Sequence, residues 1–168
     1  MYIEPPPGGA HFGAQRPTLI NVLTPMSLIL LAQARGLVTG GQYQFAVILA
    51  QAACELATEE ALTNLMARRG AAFLSDVTLS MVGRGVALND SKVRRLYGTL
   101  ADDYPAGHSD LKRDPAPWWV AWEAGRKLRH AVAHKGSPID AVQSTACVES
   151  AEQYVQHLAA TVSKVAAS

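Results

Sequence analysis

Apolar residues recur every three to four positions along most of this chain, which is the spacing of an amphipathic α-helix. No stretch shows the alternation of apolar and polar residues that is typical of a half-buried strand. The pattern predicts helices over residues 25–39, 42–69, 71–82, 91–103, 117–135 and from 137 onward, with a loop over "YPAGHSDLKRDPAP". We therefore expect an all-α fold, an antiparallel bundle of five to six helices.

Residues typical of helix ends support these bounds. Thr24 stands where it can cap the first helix, and Asn89 or Asp90 precedes the fourth. Ser137 opens the last helix, and Asp140 follows three residues later, which is close to the spacing of a capping box. These short-range signals predict where the helices begin, independently of the apolar pattern.

The second predicted helix is the longest apolar stretch and is rich in alanine, which indicates a central helix packed on several sides. The apolar residues that we expect to face the core recur at helical spacing and are Phe45, Ile48, Leu49, Ala52, Leu56 and Met66.

The length of 168 residues suits a single domain with a real core. Residues 1–17 are rich in proline and glycine and are predicted to form a flexible arm, which leaves residues 18–168 as the helical domain. The formal net charge is only +1, so no overall field attracts the protein to nucleic acid or to a membrane. Any electropositive site must therefore be local.

Two cysteines, Cys54 and Cys147, lie in apolar helical segments and form no CxxC pair, so we expect free buried thiols in a reducing compartment. The N-terminal segment lacks the basic and apolar regions of a signal peptide. Residues 19–38 are apolar but contain Pro25, Gln33 and Arg35, which favours a core helix over a membrane span. We therefore expect a cytoplasmic protein without a membrane partner.

The fifth predicted helix carries a charge where the core should be. On an ideal helix of about 100° per residue, one stripe holds Trp118, Ala121, Trp122, Gly125, Leu128 and Val132. Arg129 falls within this stripe, and an unpaired buried charge is costly. Glu55, itself among apolar residues of the central helix, is the best candidate for an ion-pair partner. Trp119 lies off the stripe and is expected to be exposed.

A locally basic row completes this helix. Arg126, His130 and His134 are spaced four residues apart, and Lys135 follows just before Gly136 ends the helix. Such a row suits a phosphate group, although cations are also favoured at any helix C-terminus. His130 and His134 have the spacing of a helical metal pair, but no third ligand is evident and we predict no metal. The other histidines, including His157, form no pattern.

The segment "RHAVAH", Arg129 to His134, resembles the R-x4-6-H signature of HEPN domains. Its surroundings resemble the family too. The alanine-rich "AQAACELATEEAL" comes earlier, the aromatic-led "WWVAWEAGRKLRHAVAHKG" carries the motif, and "PIDAVQSTACVESAEQYVQHL" follows. The resemblance spans roughly residues 24–165. His130 takes the polar position after the arginine, where asparagine is common in the family.

The resemblance implies a helical domain that forms a homodimer and places two motifs across one cleft. Many members are metal-independent endoribonucleases that need no cofactor, and they are often toxins or antiphage effectors with a cognate antitoxin or other partner protein. Carried over, His134 would act as the catalytic acid or base on RNA, and Arg129 would hold the scissile phosphate. His130, Arg126, Lys135 and Glu55 are further candidates, either for contact with the substrate or for support of the site.

The ribonuclease is the first of three functions that remain open from the sequence. Other HEPN members cut nothing, so the chain is alternatively a non-catalytic helical module that binds a partner protein or a nucleotide. Arg129 and Glu55 would then form a structural ion pair, and His134 would simply occupy the helix end. A helical bundle that binds metal through its histidines is the third alternative.

Overall fold

The computed structural model describes residues 25–71, 86–108 and 113–167. Its helices are α1 (Met26–Thr39), α2 (Tyr43–Arg68), α3 (Ser91–Ala101), α4 (Pro117–Lys135) and α5 (Ala141–Ala167). In these described ranges there is no strand, only an isolated bridge between His108 and Arg113. The predicted all-α bundle is therefore confirmed. The predicted arm at 1–17, Thr24 and nearly all of the helix predicted at 71–82 lie outside the described residues.

Two of the observed helix starts follow local capping chemistry. The Asp90 carboxylate accepts hydrogen bonds from the backbone N–H groups of Lys92 at 2.7 Å and Val93 at 3.3 Å, so Asp90 is the N-cap of α3. The last helix starts later than predicted, because its capping box is formed by Asp140 and Gln143 rather than by Ser137. The Asp140 carboxylate accepts from Gln143 N at 2.8 Å, and the Gln143 side chain accepts from Asp140 N at 3.3 Å.

Helix α2 is the centre of the bundle and packs against all four other described helices. Consecutive long helices run antiparallel because short connections join them, with three residues between α1 and α2 and five between α4 and α5. The non-consecutive pair α2 and α5 runs parallel. The Ser144 hydroxyl donates to the carbonyl of Tyr43 at 3.2 Å near the start of both helices, and Thr58 and Tyr154 share a hydrogen bond of 2.6 Å further along.

The core face of α2 differs from the predicted stripe in its first half. Phe45 is 63% exposed and Ile48 is 36% exposed, whereas Met66 is buried as predicted. The face that packs inward is lined mainly by small residues, which are Ala46, Val47, Ala50, Ala53, Cys54 and Ala57. Small side chains allow neighbouring helix backbones to approach closely, so Phe45 and Ile48 remain at the margin of the contact in this half of α2.

Helix α4 buries a different set of aromatic residues from the one predicted. Trp119, expected to be exposed, is only 7% exposed, and Trp118 is half-buried. The Trp119 ring packs against Trp122 with centroids 4.8 Å apart, and the Arg94 guanidinium lies 5.8 Å from the Trp119 ring centroid. The prediction for Trp119 was wrong because the segment around α3 covers a side of α4 that the helical pattern alone left open.

Gly125 sets how closely α4 approaches α2 and α5. A Cβ at this position would lie 3.0 Å from Cys147 Sγ and 3.2 Å from Gln51 Nε2. A side chain at Gly125 would therefore force Cys147 and Gln51 to shift. Both cysteines are free and buried, as predicted. None of the helices in the described part of the chain is long and apolar enough to cross a membrane.

Candidate functional site

A small cleft opens between α2 and α4, with a volume of about 100 Å³. Its lining is mainly polar, in contrast to the other surface grooves. The residues that line it, which we call the polar cleft, are Gln51, Cys54, Glu55, Ala87, Asn89, Trp122, Arg126, Arg129 and His130. The structure thus brings together four of the side chains that the sequence singled out, namely Glu55, Arg126, Arg129 and His130.

Helix geometry explains this convergence. Arg126, Arg129 and His130 are three and four residues apart, so they project from one face of α4. Gln51 and Glu55 are spaced in the same way on α2. The two helices run antiparallel, as the contact between the start of α2 and the end of α4 shows: the Gln44 side chain donates to the carbonyl of Ser137 at 3.1 Å. This arrangement holds the two polar faces opposite each other.

Arg129 and Glu55 line the same cleft but do not form the expected ion pair. Among the described residues, the N–O pairs within 4.0 Å do not include Arg129 or Glu55. Arg126, by contrast, donates through Nη2 to Glu123 on its own helix at 2.9 Å. The half-buried Arg129 guanidinium is therefore a cation without a carboxylate partner in the described part of the chain.

Two buried N–H groups at the cleft have no acceptor among the described residues. One is Trp122 Nε1, whose side chain is 1% exposed, and the other is Arg126 Nε. Burial raises the pKa of the Cys54 thiol strongly, and the indole N–H of Trp122 opposes that rise of the pKa. This effect places the indole N–H beside Cys54, another residue of the cleft lining.

His134 and Lys135 lie outside the polar cleft. Both are exposed at the C-terminus of α4, where Gly136 ends the helix with a φ of 60°. The rings of His130 and His134 are 4.5 Å apart, so the two imidazoles form a continuous row from the cleft to the helix end. In a single chain, therefore, Arg129 and His134 do not face one common cavity.

Metal ligands do not cluster in the described ranges, which hold no group of three or more His, Cys, Asp or Glu side chains suited to a metal ion. A larger groove of about 400 Å³ lies between α1, α2 and α5, but its lining is predominantly apolar. Its acidic residue, Glu60, accepts a hydrogen bond from the Ser27 hydroxyl at 2.7 Å. The polar cleft is therefore the better candidate for chemistry on a charged substrate.

No pattern in the sequence indicated a second polar cluster, which is centred on Asp103. Asp103 Oδ2 accepts hydrogen bonds from Tyr97 Oη at 2.7 Å and from His157 Nε2 at 2.5 Å. Burial raises the pKa of Asp103, but the hydrogen bonds from His157 and Tyr97 outweigh it and leave the pKa below its ordinary value. The His157 ring also packs 4.6 Å from Trp118. This cluster ties the segment after α3 to α4 and α5.

Sequence reasoning also missed part of the cleft itself. Gln51, Cys54 and Asn89 were not predicted to belong to it, and Trp122 was assigned only to the core. Asn89 has no periodic signal because it precedes α3. Gln51 was detectable as a polar residue among the alanines of α2, where it is 4% exposed.

Comparisons of the chain with protein family models, with curated protein sequences and with solved structures gave no match.

Proposed function

We propose that the protein is a metal-independent endoribonuclease of the HEPN type that acts as a homodimer. The observation that carries this proposal is the Arg129 guanidinium, which lines a polar cleft beside His130 and has no carboxylate partner among the described residues. A guanidinium in this position is available to a phosphate, which it binds through paired N–H donors.

The chemistry requires only groups that the chain carries. The 2′-hydroxyl of RNA attacks the adjacent phosphorus, and the bond from phosphorus to the 5′-oxygen breaks. One imidazole takes the proton of the 2′-hydroxyl and another donates a proton to the leaving 5′-oxygen, giving a 2′,3′-cyclic phosphate and a 5′-hydroxyl. Arg129 stabilises the charge that develops on the phosphoryl oxygens, and His134 is the proposed acid or base.

A dimer supplies what a single chain lacks. Because His134 is exposed and outside the polar cleft of its own chain, it is free to approach the Arg129 of a second copy. Each site would then combine Arg129 and His130 of one protomer with His134 of the other. Lys135, also exposed, would add a positive charge along the RNA backbone.

The test is RNA cleavage in the presence of a chelator, with Arg129→Gln, His134→Gln and the control Arg95→Gln. Arg95 is an exposed cation on α3 and does not line the cleft. We expect losses of about 10²-fold or more for the two site variants and an unchanged rate for the control. Cleavage that continues at the wild-type rate in both site variants, or that stops when metal is removed, would refute the proposal.

A mixing experiment tests the shared site. A heterodimer of Arg129→Gln and His134→Gln chains holds one site with both wild-type residues, so mixing the inactive variants should restore part of the activity. Mixtures that remain inactive, although sedimentation shows that the variants exchange subunits, would contradict a site built from two chains.

A second candidate function is a non-catalytic module that binds a partner protein or a nucleotide. The observation that favours it is the charge balance, because Glu55 and Glu123 lie beside Arg126 and Arg129 and the net charge is only +1. Wild-type protein that leaves every RNA intact but binds a nucleotide through Arg129 would support this function instead.

A further inference from the structure

The polar cleft holds more buried donors than the chain satisfies. Both Arg126 Nε and Trp122 Nε1 are buried: Arg126 Nε has no acceptor among the described residues, and Trp122 Nε1 has only the sulfur of Cys54, a weak acceptor, beside it. Buried N–H groups without an acceptor are rare in folded proteins. Both groups belong to cleft-lining residues that stand one helical turn apart on α4, and Arg129 follows three residues later. Three residues that carry N–H donors therefore line one small space.

The size of the cleft limits what those donors can bind. A volume of about 100 Å³ corresponds to roughly three water molecules, and an engineered cavity that takes benzene measures about 150 Å³. A single tetrahedral oxoanion fits a space of this size, whereas a nucleobase would extend beyond it. Oxoanions accept hydrogen bonds on every oxygen, which matches a lining that offers an indole N–H and two guanidinium groups.

We propose that the polar cleft binds one tetrahedral oxoanion, with Trp122 Nε1, Arg126 Nε and the Arg129 guanidinium as its donors. If the proposed function holds, this oxoanion is a phosphodiester group of RNA, and no base enters the cleft. The identification with RNA rests on the proposed function, but the binding of an oxoanion does not.

Glu55 allows the proposal to be tested by the direction in which the anion affinity changes. Its carboxylate lines the same small space and repels an anion, so neutralising it should tighten binding while losing a donor should weaken it. A cleft that merely held solvent around a structural arginine would show neither effect on anion affinity.

The first test is calorimetric titration of the full chain with inorganic phosphate. Trp122→Phe removes the indole donor, and Trp119→Phe is the matched control, because Trp119 is also buried on α4 but does not line the cleft. We expect Trp122→Phe to weaken phosphate binding about tenfold or more and Trp119→Phe to leave it unchanged. Equal affinity for wild type and Trp122→Phe, or no binding by the wild type at millimolar phosphate, overturns the proposal.

Two further measurements do not depend on the folding of Trp122→Phe. Arg129→Gln should weaken phosphate binding and Glu55→Gln should tighten it several-fold. In the wild-type protein, titration with phosphate should shift the ¹H–¹⁵N signal of one indole, and that indole should be Trp122. A shift confined to Trp118 or Trp119, or weaker binding by Glu55→Gln, counts against the site.

A short RNA with a blocked cleavage position distinguishes the two sources of oxoanion. Competition between this RNA and phosphate for the Trp122 signal would assign the cleft to the RNA backbone, whereas phosphate binding without competition would assign it to a free anion. Phosphate that binds to a protein unable to cut RNA would leave this site standing and refute the proposed function. Cleavage of RNA by a protein that does not bind phosphate in the cleft would refute the oxoanion site and leave the proposed function standing.

Discussion

Replacing Asp103 by asparagine is expected to destabilise the fold through loss of a charged acceptor. In the wild type, Asp103 Oδ2 accepts from Tyr97 Oη at 2.7 Å and from His157 Nε2 at 2.5 Å. A hydrogen bond to a charged group contributes about 1.5–3 kcal/mol, against about 0.5–1.5 kcal/mol for a neutral pair. With two such bonds weakened, we expect a loss of about 2 kcal/mol in the free energy of unfolding.

The effect should depend on pH in a defined direction. The pKa of Asp103 is lower in the folded state than its ordinary value of 3.8, so the folded state binds fewer protons at this site than the unfolded chain does. The stabilisation is therefore complete well above pH 3.8 and is lost as the pH falls through the folded-state pKa. The difference in stability between wild type and Asp103→Asn should be largest at neutral pH and should shrink in acid.

Urea unfolding followed by far-UV circular dichroism, at pH 7 and in acid, measures both effects. Asp102→Asn is the matched control, because Asp102 is an exposed neighbour with a φ of 50° that asparagine also tolerates. We expect this control to stay within about 0.5 kcal/mol of the wild type. An Asp103→Asn protein as stable as the control at pH 7, or a difference that is constant across pH, would refute the reasoning.

Two glycine substitutions and the alkylation of the two cysteines test the packing. In Gly98→Ala, the new Cβ would lie 2.6 Å from Cε1 of Tyr104, so we expect a loss of roughly 1–2 kcal/mol in urea unfolding despite better helix propensity. Gly36→Ala meets nothing within 4 Å and should instead gain up to about 1 kcal/mol; the same sign for both would contradict this account. Burial raises the pKa of Cys147 to about 11 and that of Cys54 further, so mass spectrometry should find both unmodified by iodoacetamide in native protein at pH 8 and both alkylated in urea. Rapid alkylation of the native protein would show that these helices open readily.

Two helix ends that depend on neighbours in sequence were predictable. Asp90 caps α3 and Gly136 ends α4 as the sequence indicates, because both roles involve backbone groups within four residues. The start of α5 was displaced from Ser137 to Asp140 since two overlapping capping signals competed, and the pair Asp140–Gln143 forms the reciprocal bonds. Local signals thus determined that helices form, with small errors in their bounds.

Which face of each helix is buried was less predictable. Phe45 projects into solvent and Trp119 is covered, both against expectation, because the periodicity of a single helix does not specify how its neighbours are placed. A helix with small residues on several sides, such as α2, offers several faces that can pack. Only the arrangement of α1, α4 and α5 around it decides which one becomes the core.

At the candidate site, the sequence was enough to mark Arg129 as an unusual charge on a core-facing stripe and to place His130 and His134 on the same helix. The tertiary structure decided that Arg129 and Glu55 line one cleft without pairing, that Trp122 brings a buried donor to it, and that His134 stays outside. These two kinds of information depend on different distances along the chain and in space. Position on a helix follows from its fixed rotation per residue, whereas an ion pair or a cleft depends on distances of a few ångströms between helices far apart in sequence.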